Sequence, residues 1–200
     1  MVLELRPGRW EGTALPVETC TAAGYRLWKQ RTEMAAGPVR RPVVCDRPMR
    51  HPHPQDQGEI ERLARLFSEG YRGTIDDEGE TLGDAREAAR EFLGYLYGKL
   101  LVDGSFVLEA DGEPAGLALV SREGDDTAWL LEVVVHPGYR GQGLGRALIQ
   151  ASMNACLEQG IAEMHLMVTL GNVPAEGLYR RMGFAEVPAT YEYHLEKELG

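Results

Sequence analysis

From Asp56 onward the apolar residues of this chain follow two periods, one helical and one of strand type. Ile60, Leu63, Ala64, Phe67 and Tyr71 fall at i, i+3, i+4, i+7 and i+11, one face of a helix that Asp56 is placed to cap. Ala85, Ala88, Ala89, Phe92, Leu93 and Leu96 repeat that spacing with charged residues between them, so a second amphipathic helix follows an acidic loop over 74–84. The period then shortens. Segments 105–110 and 115–121 flank Asp111-Gly112, a hairpin signature, and 127–136 is a third strand that ends at Pro137. A helix over about 142–159 carries Leu144, Leu148, Ala151 and Ala155 on one face, and 164–169 is again a strand. Ala175, Leu178, Tyr179 and Met182 mark a short helix after Pro174, stopped by Gly183, before a last strand over 191–195. This order predicts a mixed α/β sheet with flanking helices.

The first fifty residues carry less pattern, because Pro7, Pro16, Pro38, Pro42 and Pro48 interrupt every candidate element. Segments 2–5 and 42–45 are expected as edge strands and 22–34 as a helix. His51-Pro52-His53-Pro54 reads as a stiff joint, since no third ligand cluster accompanies the two histidines; no metal site is expected.

Composition narrows the class. With 44% hydrophobic and 26% charged residues in a chain of 200, a sizeable core can form without disulfides or metal. The net charge of −10 argues against nucleic acid or anionic lipid as a partner. Residues 1–55 are nevertheless basic, with nine Lys and Arg against five Asp and Glu, so a basic arm could dock on an acidic body. Three distant cysteines, Cys20, Cys45 and Cys156, fit reduced thiols in the cytoplasm. Glu4, Arg6 and Pro7 stand where a secretion signal needs an apolar run, and no stretch approaches the ~18 apolar residues of a membrane span.

The densest chemistry lies in Leu130 to Leu148, LLEVVVHPGYRGQGLGRAL. A nearly continuous apolar strand passes through a glycine-rich turn into a helix, and a helix start carries N–H groups and positive partial charge suited to a phosphate. Arg140 and Arg146 flank the turn. It lacks the G-K-[ST] of a Walker loop and the G-x-G-x-x-G of a dinucleotide fold. By itself such a turn is as often a plain tight turn as a ligand site.

Arg140-x-x-Gly143-x-Gly145 behind Val135-His136-Pro137 resembles the pyrophosphate loop of the GNAT superfamily of N-acetyltransferases, [QR]-x-x-G-x-[GA] behind V-x-P. A second segment, Asn172, Ala175, Leu178-Tyr179 and Gly183-Phe184, is similar to that family's N-x-x-A-x-x-L-Y-x-x-x-G-F. The resemblance implies a GNAT-type acyl-CoA N-acyltransferase fold, a mixed splayed sheet over 49–200, with 1–48 as an N-terminal extension. It implies acetyl-coenzyme A as co-substrate. Val133, Val134 and Val135 would offer backbone groups to its pantetheine arm. Arg140, Gly141, Gln142, Gly143, Leu144, Gly145 and Arg146 would cradle its pyrophosphate, and Asn172 would bond the arm. Tyr179 would protonate the departing thiolate. The acceptor would be a small-molecule or peptide amine, and many relatives pair as homodimers.

Taken alone, Tyr179 would be a packing residue and Asn172 a helix cap. Certain relatives that acetylate N-terminal amines carry Glu at the position of Met167, so the carboxylate here falls to Glu132, which is either the base or a solvent-facing edge residue. Asp76, Asp77, Glu78, Glu80 and Asp84 border the acceptor side in the family. They either draw cationic amines or form a solvated loop. A non-catalytic acyl-CoA sensor or partner-recruiting module stands as the alternative class.

Overall fold

The computed structural model describes residues 2–5, 16–94 and 96–196; Arg6 and Pro7, used above, lie outside them. The elements are β1 (Val2–Leu5), α1 (Pro16–Ala22), β2 (Arg26–Ala36), β3 (Met49–Arg50), α2 (Gln57–Tyr71), α3 (Leu82–Leu93), β4 (Lys99–Leu100), β5 (Phe106–Ala110), β6 (Glu113–Glu123), β7 (Thr127–Val135), α4 (Leu144–Glu158), β8 (Glu163–Thr169), α5 (Val173–Met182) and β9 (Ala185–Glu196). Single 3₁₀ turns cover Val102–Gly104 and Pro137–Tyr139. The mixed α/β class is the one expected. Contacts group the chain into two compact units, Ala36–Leu166 and Met1–Ala35 with Met167–Gly200.

In the larger unit, β3, β5, β6 and β7 pair antiparallel in that order, and the start of β8 pairs parallel to β7. The β5–β6 turn places Asp111 at φ 54° and Gly112 at φ 81°, the two left-handed positions that favour Asp-Gly in a tight hairpin. Asp56 accepts from Gly58 N at 2.8 Å and so caps α2 as the sequence suggests. The apolar stripes of α2 and α3 close on Val107, Leu117, Leu119 and Val134. Residues alternate across a strand, so Gly116 and Ala118 face the other way. There Leu148 of α4 approaches so closely that a Cβ on Gly116 would lie 3.0 Å from it. Helices therefore cover both faces, and β6 is buried from Pro114 to Ser121.

In the smaller unit β9 is the central strand, antiparallel to β1 on one edge and to β2 on the other. The end of β8 runs beside β2, where Leu170 N donates to Gln30 O at 2.9 Å. Residues 26–36 are thus strand, not the helix expected over 22–34. Pairing from Arg26↔Glu196 to Ala35↔Ala185 takes up the backbone groups a helix would have used, a tertiary override of local propensity. Residues 42–45, expected as an edge strand, are irregular. The backbone just before them is held by side chains of α4 rather than by a neighbouring strand.

One ion-pair network fixes α2 to the sheet. Arg50 donates two bonds to the buried Glu59 carboxylate, at 2.6 and 2.8 Å, and a third to Glu109 at 2.7 Å. Arg62 adds a bond to Glu59 at 3.0 Å. Burial pushes the Glu59 carboxyl up, but the bonds and charge of Arg50 and Arg62 outweigh it and hold the group below its ordinary value. A lowered carboxylate contributes stability that is whole above about pH 4.3, the ordinary Glu value, and is lost as the pH falls through its own lower one. Glu59→Gln is expected to cost about 3 kcal/mol at pH 7, since it removes the buried charge that Arg50 and Arg62 share and leaves Arg50 with Glu109 as its remaining ion pair. In denaturant titrations that gap should narrow as the pH falls below about 4.3.

Candidate active site

The turn between β7 and α4 is built on two left-handed glycines, Gly141 at φ 76° and Gly143 at φ 78°. A side chain at either would meet nothing within 4 Å, so glycine is required by the backbone angle and the space before the turn is open. Gly143 is the N-cap of α4 and offers no capping side chain. The first helical bond runs from Ala147 N to Gly143 O at 3.0 Å, which leaves the amides of Leu144, Gly145 and Arg146 outside the helical ladder. Arg146 is exposed beside them and Leu144 is buried below. Arg140 is placed differently: its guanidinium donates to the Gly70 carbonyl and, at 3.2 Å, to the Val135 carbonyl. A cation at the end of α2 suits the carbonyl charge there. Arg140 therefore ties the end of α2 to the end of β7.

The strand before the turn is open on one side. Its pairs with β8 end at Trp129↔His165, while its pairs with β6 continue to Val135↔Gly116. Among the described residues, the end of β7 from Val133 to Val135 thus has no registered partner strand on the β8 side, in keeping with the splayed sheet expected. Extended backbone at an unpaired edge can bond an amide-bearing chain laid along it.

A bulge decides where Glu132 points. Leu119 pairs with Glu132 and Val120 with Leu130, so Leu131 is an extra residue in β7. Cross-strand partners share a face. Leu130 follows Val120 to the α4 side, and Glu132 follows Leu119 to the α2 side. Without the extra residue Glu132 would share the face of Leu130. On the α2 side the Tyr71 hydroxyl donates to Glu132 Oε2. Two residues further on, Val134 packs where a Cβ on the buried Gly70 would collide with it. Glu132 is therefore half-buried and hydrogen-bonded, not a solvent-facing residue. Neither Tyr71 nor Gly70 stood out in the sequence as more than part of a helix, since their roles come from β7 packing across them.

In the smaller unit Asn172 caps α5, its side-chain oxygen accepting from Ala175 N at 3.3 Å. Tyr179 lies seven residues later, two turns on and on the same face. Its half-buried ring meets Phe184 edge-on at 5.9 Å. Gly183, at φ 101°, ends the helix as expected. Met167, the position where the resemblance led us to look for a carboxylate, lies in the second half of β8. His136 and His165 meet Glu69 and Glu163 at 3.0 and 3.2 Å.

The acidic loop is partly occupied with its own backbone. Asp77 accepts from Gly73 N at 2.6 Å and Gly79 N at 3.0 Å, and Glu80 accepts from Glu78 N at 2.9 Å. Asp84 lies within α3 and closes a capping box with Thr81.

A family model described as acetyltransferase (GNAT) family matches residues 60–184. The chain belongs to the GNAT family. Among curated GNAT relatives, the streptothricin acetyltransferase of Streptomyces lavendulae is 43% identical over 77 residues, 38% of this chain and 41% of that one. The ribosomal protein bS18-alanine N-acetyltransferase of Escherichia coli is 33% identical over 90 residues, 45% of this chain and 60% of that one. The chain spans about half the length of the curated relatives it matches. A solved GCN5-related N-acetyltransferase from Sphaerobacter thermophilus superposes with a TM-score of 0.66 at 18% identity, covering 97% of this chain and 58% of that one. At that identity the likeness shows the GNAT fold.

The cap at Asn172 separates two roles. Asn172→Asp keeps an accepting oxygen and should leave stability nearly unchanged, whereas Asn172→Ala should cost about 1 kcal/mol. Thermal unfolding measures both. If Asn172 also donates its amide to a cofactor, both variants should weaken cofactor binding alike.

Proposed function

We propose that this chain transfers an acetyl group from acetyl-coenzyme A directly to an amine. The observation that carries the reading is the uncapped start of α4 behind two left-handed glycines, set at the end of a strand whose last residues, Val133 to Val135, have no registered partner strand on the β8 side. Unbonded amides at a helix start, with open space before them, suit a pyrophosphate. The edge of β7 at Val133 to Val135 suits the amide-bearing pantetheine arm. When bound, the co-substrate supplies an activated acetyl thioester.

The remaining chemistry belongs to the protein. The amides of Leu144, Gly145 and Arg146 stabilise the diphosphate charge, and Gly141 and Gly143 set their direction. Backbone groups of Val133, Val134 and Val135 and the Asn172 side chain hold the arm, while Arg140 and Gln142 keep the loop in shape. Glu132 accepts the proton of the incoming ammonium, directly or through water, so that the nitrogen lone pair can form the C–N bond. Tyr179 donates a proton to the sulfur as the C–S bond breaks, and the second proton that the nitrogen sheds on becoming an amide returns through water to the tyrosinate; a phenol suits a thiolate, which needs the proton only on leaving. Binding both reactants supplies rate through proximity. Transfer without a cysteine intermediate is supported at Cys156, where burial pushes the thiol up to about 12.

The acceptor class is an amine on a small molecule or a peptide, and the names of the two curated relatives cover both kinds. The reading keeps 49–200 as the acetyltransferase domain and 1–48 as an extension. A cytoplasmic location accords with the three free cysteines. Among the described residues no helix is long and apolar enough to cross a membrane.

Gly143 tests the cofactor. Asn and Asp both tolerate left-handed backbone and have the same shape, so Gly143→Asn and Gly143→Asp should unfold at similar temperatures. Asp places a negative charge at the helix start and should weaken acetyl-CoA at least about tenfold more than Asn does, measured by calorimetry. Equal affinities would remove the pyrophosphate from this loop.

Tyr179 tests the enzyme. Tyr179→Phe keeps the ring against Phe184 and removes the hydroxyl. Loss of a positioned acid should lower kcat by on the order of 10²- to 10⁴-fold, followed by thiol release over a panel of amines. Acetyl-CoA affinity should change far less. Full kcat in the variant would rule out the acid role, and an acyl-CoA sensor would show no turnover in either form.

A further inference from the structure

Residues 39–48 form a strap along α4 whose bonds run from the end of that helix to its start. Arg40 reaches Glu158 at 3.0 Å. Arg41 N donates to Asn154 Oδ1 at 3.1 Å, and Asn154 Nδ2 donates back to Arg41 O at 2.8 Å. Gln150 donates to Val39 O at 2.8 Å. Gln150, Asn154 and Glu158 are spaced by four and share one face of the helix. The strap arrives at the glycine turn through Arg47. Its Nη2 donates to Gln142 Oε1 at 3.3 Å, and its guanidinium lies 4.7 Å from the centre of the Tyr139 ring. Tyr139 is itself held, its hydroxyl donating to Asp111 Oδ2 at 2.9 Å.

These contacts grip the turn where it is least constrained. Gln142 stands between the left-handed Gly141 and Gly143, and glycine-flanked backbone loses the most conformational freedom when fixed. We propose that Arg47 is a positioning residue for the cofactor loop: by bridging Gln142 and Tyr139 it holds the Gly141–Arg146 turn in the shape that presents the α4 amides to the pyrophosphate. The inference rests on the cofactor reading above. Arginine suits the role because one flat group can stack on an aromatic ring and donate in its own plane; a lysine of equal charge cannot do both. A loop fixed in advance has less freedom left to lose on binding, so the effect falls on cofactor affinity and not on the chemical step.

The test uses the full chain and acetyl-CoA. Arg47→Ala should raise both Kd and KM for acetyl-CoA about tenfold, with kcat and the acceptor KM within about twofold of the wild type. The unfolding temperature without cofactor should hardly move, because Arg40, Arg41 and Gln150 still fasten the strap; a purely structural role would move it. Arg47→Lys should recover little, and Arg47→Ala should have a much smaller effect when Gln142→Ala is already present. Unchanged acetyl-CoA affinity in Arg47→Ala, full recovery by lysine, or additive effects with Gln142→Ala would each overturn the inference. If Arg47→Ala does not fold, Gln142→Ala alone, at an exposed position, should show the same rise in Kd, and no rise overturns it. A wild type that fails to bind acetyl-CoA overturns the cofactor reading and this one together.

Discussion

A helix without a capping side chain begins with amide groups that must find a partner elsewhere, and around α4 the neighbouring structure keeps that start open rather than covering it. The two left-handed glycines turn the chain from β7 into the helix with no side chain before the amides. Arg140 holds the near side of the turn by bonding carbonyls of Gly70 and Val135, and Arg47 holds the far side through Gln142 and Tyr139. Arg140 donates from both Nε and Nη2 to the protein backbone, whereas Arg47 donates from Nη2 to Gln142 and keeps a buried Nε without a hydrogen-bond partner. Their charge still lies close to the helix start, where it adds to the partial charge of the amides.

The same closeness explains the position of α2. A side chain at Gly70 would collide with Val134, so the end of α2 can lie directly on β7 and bring Tyr71 to Glu132. That meeting depends equally on the Leu131 bulge, which sends Glu132 to the α2 face. A half-buried carboxylate needs a hydrogen-bond donor or another compensating group; the Tyr71 hydroxyl provides one. One extra residue in a strand and one missing side chain in a helix together place the carboxylate.

Much of this was legible from residue order, where the information is local. Asp56 as a cap, Asp111-Gly112 as a hairpin and Gly183 as a stop each depend on a few neighbouring residues and appear where expected. The glycine turn was legible for the same reason. Residues 26–34 lie in a strand rather than the helix expected over 22–34 because their fate is set by β9, more than a hundred residues away. The bulge at Leu131 leaves no mark in an apolar run where every residue suits either face. The Arg50–Glu59 pair joins two charges nine residues apart that no local pattern brings together, and it forms because α2 packs on the sheet. The strap was hidden by its prolines, which rule out regular structure but do not forbid the side-chain bonds from α4 that hold it.

The acidic loop shows why a structural and a functional account of one residue need not compete. Hydrogen bonds from Gly73 and Gly79 hold the Asp77 carboxyl below its ordinary value, and bonds from Thr81 do the same at Asp84. Each bond uses a lone pair of the carboxylate but leaves its charge in place, and in fact makes that charge harder to remove. The loop is therefore shaped by the same groups that give it a negative field, and that field draws cations whether or not any of them is an acceptor. An amide side chain at Asp77 could accept only one of the two bonds, because Gly73 N goes to Oδ2 and Gly79 N to Oδ1 and an amide nitrogen does not accept, so at this residue the shape and the charge stand or fall together.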